Sequence, residues 1–437
     1  KIVGDGTKGN SVIGNYIGTN VSGTASLANV EHGVAIYGEA THNIVGGTTP
    51  QERNLISGNG QAGVVLYSQE TTGNQVIGNY VGTDASGTTS VPNLWGVFIG
   101  EGATNNIVGG TISGTRNLIS GNGETGVRIE DDETMSNTVL GNYIGTNVSG
   151  TVSLPNEYGV VVGFGATNNT VGDSNSEAGN LISGNKSAGV VIWGAGDTSG
   201  NRMLGNYIGT DISGTAYISN RWGVYVANGA KNNMIGSDSS AGNIISGNDQ
   251  AGVWFQDAGT SGNQVSSNSI TTNTGYGVFV GSGATRNTIG VSNTISHNML
   301  AGVIISGTST LSNTVTRNAI YDNEGLGIET MNGGNKELAP PTITVVLSTS
   351  VSGQAQPDCM VEVFSDEGDE GHWFEDSVTA SADGSFTMTL LNEFRGPYLA
   401  ATATDAGGNT SEFSRRVLVP IGDREKLFLP IIVKNSS

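Results

Sequence analysis

Four consecutive acidic residues, Glu130–Glu133, form the densest run of carboxylates within residues 1–338 of the 437-residue sequence. Grouped carboxylates can bind Ca²⁺, which prefers oxygen ligands, or act as the acid and base of glycoside hydrolysis. Arg128 stands two residues earlier, so the run also offers the base beside Ca²⁺ that a β-elimination lyase requires. A solvated acidic turn is the simpler interpretation. In the alternative, the Ca²⁺ ligands are Glu130, Asp131, Asp132 and Glu133.

Other catalytic motifs are missing from the sequence. Its four histidines are not spaced as zinc ligands. A Gly-x-Ser-x-Gly elbow, a P-loop and a dinucleotide-binding fingerprint are also absent. We therefore assign no catalytic residue, and Ca²⁺ is the only cofactor that the residues suggest.

A recurring Gly-Val-x-apolar motif identifies a second group of residues that could bind a ligand or another protein. The third residue of this motif is predicted to point outward from a strand, and the motifs run from Gly33 to Gly327. In chain order the outward residues are Ala35, Val65, Phe98, Arg128, Val161, Val191, Tyr225, Trp254, Phe279, Ile304 and Glu329. Trp193 is expected on the same side.

Such an apolar and aromatic column is unusual on the surface of a soluble monomer. It can stack on sugar rings, bind a neighbouring subunit or receive another domain. A packing interface is favoured over a sugar site, because β-branched aliphatic residues outnumber the aromatic ones. The candidate interface or glycan-binding residues are Phe98, Trp193, Tyr225, Trp254, Phe279 and Ile304.

An internal repeat must position these candidates. The segment Gly14-Asn-Tyr-Ile-Gly-Thr-Asn20 returns, with small changes, at 78–84, 141–147 and 205–211. The Gly-Val motifs subdivide this unit into turns of about 25 residues, each with three short apolar segments of period two. Three short strands per turn predict a parallel β-helix of about eleven coils. The asparagines that open the third segment, from Asn54 to Asn318, are expected to stack at one corner.

Charge limits the ligands that this chain attracts. The formal net charge is −20, and only 13% of the residues are charged. A strongly acidic protein lacks the basic footprint that nucleic acids require, and it disfavours unassisted binding of acidic polysaccharides. Neutral glycans, cations and other protein surfaces stay open as partners. No run of apolar residues is long enough for a transmembrane helix.

Composition changes near residue 339, where longer alternating strands begin. Residues 339–421 are predicted to form a small antiparallel sandwich. A charged hinge and an apolar strand follow in residues 422–437. That strand is either an edge of its own domain or a strand donated to another subunit or used for surface retention. Its residues are Leu427, Phe428, Leu429, Ile431, Ile432 and Val433.

These motifs resemble those of known proteins. The Asn-x-Ile and Gly-Val-x-Ile periodicity over residues 1–338 resembles right-handed parallel β-helix repeat proteins of the pectate-lyase-like and NosD-like groups. Segments 357–365 and 382–386 resemble bacterial Ig-like modules of large secreted surface proteins. The resemblance implies an all-β fold, but this fold carries many activities, and no catalytic residue transfers.

Two functions follow as hypotheses. The first is a bacterial extracellular or cell-surface structural or adhesive protein that self-assembles into a layer or filament through its helix faces and C-terminal strand, or binds another surface protein. The second is an extracellular polysaccharide-binding or lyase-like polysaccharide-degrading protein. The sequence opens inside a repeat, so we also expect residues upstream of Lys1.

Overall fold

Three long parallel sheets run through the computed structural model, which describes residues 1–175, 178–237 and 242–420. Within these residues the first sheet has 12 strands, and the second and third sheets have 11 each. Every internal strand pairs in parallel with its equivalents one coil earlier and one coil later. The predicted parallel β-helix fold, with three strands per coil, is therefore confirmed.

The strands are short and recur in the same order in each coil. The first sheet contains Ile2–Val3, Val34–Tyr37, Ala62–Tyr67, Trp95–Gly100, Thr125–Glu130, Tyr158–Gly163, Ala188–Trp193, Trp222–Ala227, Ala251–Phe255, Tyr276–Val280, Val303–Ser306 and Ile328–Met331. The second contains Ser11–Val12, Ile44–Gly46, Gln75–Ile77, Ile107–Gly109, Thr138–Leu140, Thr170–Gly172, Arg202–Leu204, Met234–Gly236, Gln264–Ser266, Thr288–Gly290 and Thr314–Thr316. The third contains Tyr16–Ile17, Leu55–Ile56, Tyr80–Val81, Leu118–Ile119, Tyr143–Ile144, Leu181–Ile182, Tyr207–Ile208, Ile244–Ser246, Ser269–Thr271, Thr294–Ser296 and Ala319–Tyr321. Two 3₁₀ helices in the described chain are Ser113–Thr115 and Gly334–Glu337.

The interior of the helix is a continuous column of apolar side chains. Each coil contributes inward residues from all three sheets, as Val97, Ile99, Val108 and Ile119 do, and all four are fully buried. β-branched side chains suit this position because they pack well on pleated strands. The core fixes which residues of the first sheet point outward.

Stacked asparagines hold the corners between sheets. At one corner the Asn79 Nδ2 donates to the Asn117 Oδ1 at 3.1 Å and to the Val45 carbonyl at 2.8 Å. This buried column runs from Asn15 to Asn318, so the predicted asparagine stack is confirmed. Equivalent columns occupy the other two corners and were not predicted. They begin at Asn10 and at Asn29.

Two antiparallel sheets follow the last coil. One contains Thr342–Val346, Ser350–Gln354 and Ser385–Thr389. The other contains Trp373–Thr379, Met360–Asp366, Tyr398–Thr404 and Val417–Leu418. They share a core that includes Val351, Val363, Phe386 and Leu399. A small antiparallel β-domain is thus present, as the strand patterns predict.

Three glutamates of this domain cover the last coil of the helix, one for each parallel sheet. Glu362 accepts a hydrogen bond from the Arg317 N–H at 3.1 Å, just beyond the second sheet. Glu370 accepts one from the Asn323 N–H at 3.2 Å, after the third sheet. Glu412 accepts one from the Thr330 N–H at 2.9 Å, within the first sheet. These bonds satisfy main-chain donors that an uncovered coil leaves unpaired.

The predicted assembly strand, 427–433, lies outside the described residues. No helix in the described ranges is long and apolar enough to cross a membrane.

Candidate binding surface on the first sheet

The outward column predicted from the Gly-Val motif forms one row across the first sheet. Phe98 pairs with Val65 on one side and with Arg128 on the other. Tyr225, Trp254 and Phe279 occupy three successive positions of the same row. Parallel pairing therefore brings side chains that are 25 to 33 residues apart to adjacent positions on one face.

The aliphatic members of this row are not exposed, in contrast to the uncovered face that the sequence predicts. They are at most 3% exposed, and they are Ala35, Val65, Val161, Val191 and Ile304. Larger side chains of the same face pack over Val65 and over Val191. Ile304 is 2% exposed between Phe279 and Glu329, so little of its side chain is accessible, and its role as a contact residue stays a prediction. The face is divided into two aromatic patches.

The first patch consists of Tyr37, Tyr67, Trp95 and Phe98. Tyr37 and Tyr67 are stacked with their ring centroids 4.6 Å apart, and Trp95 and Phe98 are stacked at 5.4 Å. All four rings are half-buried and pack on a small aliphatic base that includes Val65. Part of each ring therefore stays accessible to a ligand.

The second patch consists of Trp222, Tyr225, Trp254, Tyr276 and Phe279. Trp254 and Phe279 are stacked closely, with a centroid distance of 3.7 Å and an interplanar angle of 12°. Burial raises the pKa of Tyr225 to about 12, so its hydroxyl stays protonated at physiological pH. Most rings of this patch contact another ring of the same patch, which makes it a packed aromatic ladder.

A cavity of about 450 Å³ opens on the first patch. Aromatic rings, an aliphatic side chain and hydrogen-bonding groups from four coils line it. The lining residues are Glu31, His32, Gln61, Val65, Tyr67, Trp95, Phe98, Glu101, Glu130 and Asp131. Concave sites with apolar walls and a few convergent polar groups are typical of ligand-binding sites.

An ion-pair network holds Trp95 in place at the edge of this cavity. The indole Nε1 donates to the Glu124 Oε2 at 2.9 Å. Arg128 bridges Glu124 at 3.0 Å and Glu130 at 2.6 Å, and its guanidinium lies 5.4 Å from the Trp95 ring centroid. A ring that is fixed before binding loses little side-chain entropy when a ligand stacks on it.

Burial shifts the titration of two groups that line the cavity. It raises the pKa of Glu130, although the neighbouring Arg128 opposes that shift. It lowers the pKa of His32, whose Nδ1 accepts a hydrogen bond from the Ala62 N–H at 3.3 Å. His32 is therefore neutral at physiological pH and carries its proton on Nε2.

The acidic run Glu130–Glu133 forms a turn at the end of a first-sheet strand, and three of its four carboxylates have separate partners. Glu130 binds Arg128, and the Asp131 Oδ2 accepts a hydrogen bond from the Glu101 N–H at 3.2 Å. Glu133 accepts a hydrogen bond from Gln69. Across the described part of the chain, no group of three or more His, Cys, Asp or Glu residues is arranged to hold a metal ion. The geometry favours the acidic turn over the Ca²⁺ site.

The structure separates the remaining predicted contact residues. Phe98 lies in the first patch, and Tyr225, Trp254 and Phe279 lie in the second patch. Trp193 adjoins the second patch, because it packs on the same aliphatic base as Trp222 and Tyr225, and its ring centroid lies 6.2 Å from that of Phe164.

Sequence reasoning missed most of the cavity. Glu31, Gln61 and Glu101 belong to loops and to other coils, and nothing in their local pattern marks them. His32 and Trp95 have a signal, because aromatic residues precede the motif glycine in alternate coils.

Comparison with known proteins agrees with this fold. A family model described as "Right handed beta helix region" matches residues 179–320 and 220–346. A search of curated proteins finds no match. Similar solved structures include a point mutant of the periplasmic alginate epimerase AlgG, with 14% identity and a TM-score of 0.44 over 72% of this chain and 68% of that one. The Dettilon tailspike protein gp208 has 14% identity and a TM-score of 0.43 over 88% and 83%.

A third similar structure is the A-module of the Azotobacter vinelandii mannuronan C-5 epimerase AlgE6. It has 17% identity and a TM-score of 0.36 over 70% of this chain and 88% of that one. The family match over residues 179–346 and the three parallel sheets together show a right-handed parallel β-helix fold, with a small antiparallel β-domain after its last coil.

Proposed function

We propose that this protein binds a polysaccharide on the outer face of the first sheet, at the first patch. The observation that carries the proposal is the cavity in which Tyr67, Trp95 and Phe98 meet hydrogen-bonding side chains. Binding outside the cell or at its surface follows as part of the same proposal.

Sugar chemistry matches this combination of groups. The axial C–H groups of a pyranose form an apolar face that stacks on an aromatic ring, and its hydroxyls need hydrogen-bond partners around the ring edge. Gln61, Glu101 and Asp131 provide such partners beside the rings. The ion pairs that hold Trp95 supply the rigidity that stacking requires.

The negative charge of the protein limits which polysaccharides it is expected to bind. The whole chain carries a formal charge of −20, and four carboxylates line the cavity. An acidic polysaccharide would be repelled from such a surface at low salt. The proposal therefore covers neutral and cationic glycans.

Self-assembly into a layer or filament stays a prediction. It relied on an open apolar column and on the strand 427–433. The aliphatic part of that column is buried within the chain, and the strand lies outside the described residues. Polysaccharide binding has more support, because it relies on residues whose placement is described.

A glycan panel tests the proposal. Immobilised neutral, cationic and acidic polysaccharides are tested for binding to the full chain and to Trp95→Ala. Trp254→Ala is the matched control, because it removes the same side chain from the second patch. We expect Trp95→Ala to weaken binding at least tenfold, which corresponds to about 1.4 kcal/mol, and Trp254→Ala to change it less than twofold.

Two further measurements complete the test. Thermal unfolding of both variants separates lost contacts from lost folding, and Trp95→Phe is expected to restore part of the affinity. Light scattering of the same samples reports self-association. Failure of every glycan to bind, together with concentration-dependent polymers, would overturn the proposal in favour of assembly.

A further inference from the structure

We infer that the ligand of the first patch is a cationic glycan, that is, a polymer of amino sugars with free ammonium groups. This inference rests on the proposed function and adds the charge of the ligand to it. The supporting observations are the balance of charges around the cavity and the aromatic rings within it.

Carboxylates dominate the charges at the cavity. Four of them line it, and its lining contains no lysine or arginine. Two cationic side chains are adjacent: Arg128, whose guanidinium is already paired with Glu124 and Glu130, and Lys1, which contacts Glu31. Counting Glu124, five carboxylates face these two cations, so the region keeps a negative excess.

The outer carboxylates lack strong internal partners. Glu31 contacts Lys1 at 3.8 Å, but both side chains are more than 60% exposed, and such surface pairs contribute little. Glu101 is exposed at the rim of the cavity. These carboxylates are free to pair with an ammonium group on a ligand.

The aromatic rings add to the same preference. The faces of Tyr67, Trp95 and Phe98 carry the negative part of the ring quadrupole, which attracts cations as well as C–H groups. An ammonium group held between ring faces and carboxylates is favoured by both interactions. A neutral sugar of the same shape gains stacking and hydrogen bonds alone.

His32 does not compete with such a ligand. Burial lowers the pKa of its imidazole, and its Nδ1 is occupied by the Ala62 N–H. The histidine is therefore a neutral wall of the cavity. An arginine lies near a tryptophan face in both patches, but Arg221 is closer to the Trp222 ring centroid, at 4.2 Å, than Arg128 is to that of Trp95, at 5.4 Å.

Calorimetric titration of the full chain tests the charge of the ligand. The probes are oligosaccharides of glucosamine, N-acetylglucosamine and glucose, of equal length and linkage, at a pH where the amine is protonated. We expect the glucosamine oligosaccharide to bind about tenfold more tightly than the other two at low salt. Because exposed charges are screened by salt, this advantage should shrink toward zero at about 1 M salt.

Charge-removing variants locate the effect. Glu101→Gln combined with Asp131→Asn should lower the affinity for the glucosamine oligosaccharide about tenfold more than it lowers the affinity for the N-acetylated one. Glu324→Gln is the control, because it removes an exposed carboxylate near the other end of the helix. Unchanged thermal midpoints show that these variants fold.

The outcomes separate this inference from the proposed function. Equal affinity for glucosamine and N-acetylglucosamine oligosaccharides would overturn the inference and leave polysaccharide binding in place. Polylysine binding as tightly as the glucosamine polymer would also overturn it, because charge without sugar recognition would then suffice. Failure of all three oligosaccharides to bind would overturn both.

Discussion

The first and second patches lie on the same sheet face, four coils or roughly 20 Å apart between Phe98 and Tyr225. Both contain aromatic rings on a half-buried strand row, yet their surroundings differ. Rings stack on one another in both patches, most closely where Trp254 stacks on Phe279 at 3.7 Å. Rings of the first patch border a cavity that carboxylates surround. Aromatic content alone therefore does not identify a binding site, and the neighbours of each ring decide its role.

Removing one tryptophan from each patch should give the largest difference in stability and glycan affinity between the two patches. Trp254→Ala removes a stacked, half-buried ring and should lower the free energy of unfolding by about 2–3 kcal/mol. Chemical denaturation measures that loss, while glycan affinity should stay unchanged. Trp95→Ala, in contrast, should weaken glycan binding at least tenfold. A variant set in which Trp254→Ala weakens glycan binding more than Trp95→Ala would contradict the assignment of roles.

Removing one arginine from each patch should have a smaller effect on stability. Arg128→Ala leaves Glu130 half-buried without its cation, so we expect a loss of about 2 kcal/mol at neutral pH. Burial already raises the pKa of Glu130, and ionisation of a group with a raised pKa destabilises the folded state as pH rises. The loss should therefore be smaller at pH 5 than at pH 8.

Arg221→Ala provides the matched change in the second patch. Arg221 is exposed and contacts the face of Trp222, so its removal should cost less than about 1 kcal/mol. Equal losses for the two arginine variants at every pH would show that the ion-pair network of the first patch has no special role.

Stability measured against pH should report on Glu370, which belongs to neither patch and serves as a reference for both. Burial raises the pKa of Glu370, which covers the third-sheet corner of the last coil, to about 7. The protonated Glu370 side chain is favoured in the folded state. Its contribution to stability is therefore complete below the unfolded-state pKa near 4.5 and is lost as pH rises to about 7. We expect stability to fall by about 3 kcal/mol across this range and then to level off.

Glu370→Gln tests that assignment, because the amide keeps an acceptor oxygen but does not titrate. Denaturation curves of this variant should lose most of the slope between pH 4.5 and 7. Persistence of the full slope would place the titrating group elsewhere. Glycan affinity at the first patch should be the same for this variant and the native chain.

The smallest effect should come from divalent cations. Three of the four carboxylates of Glu130–Glu133 have separate partners, so adding Ca²⁺ or a chelator should leave the thermal midpoint and glycan affinity unchanged. A clear rise of the midpoint with Ca²⁺, abolished by Asp132→Asn, would restore the predicted metal site.

The sequence predicts the fold well because each coil repeats the same local rules. Period-two strands, inward Val and Ile residues and corner asparagines such as Asn79 each mark their own position. Register follows from the repeat length, so the row that contains Phe98 and Tyr225 is predictable.

The candidate site is harder to predict because it has no repeat. Glu31, Glu101 and Asp131 come from different coils, and only the completed stack brings them to one cavity. Burial of Ile304 depends likewise on its neighbours in the assembled sheet and not on its own motif. The sequence prediction consequently favours the second patch, where aromatic residues follow one another in the row, over the first patch.

The crystal structure of the full chain with a glucosamine oligosaccharide tests the central claim most directly. We predict a sugar ring stacked on Trp95, with an ammonium group within hydrogen-bond distance of the Glu101 or Asp131 carboxylate. A ligand bound instead along Trp254 and Phe279, or crystals grown at saturating oligosaccharide with an empty first patch, would contradict it.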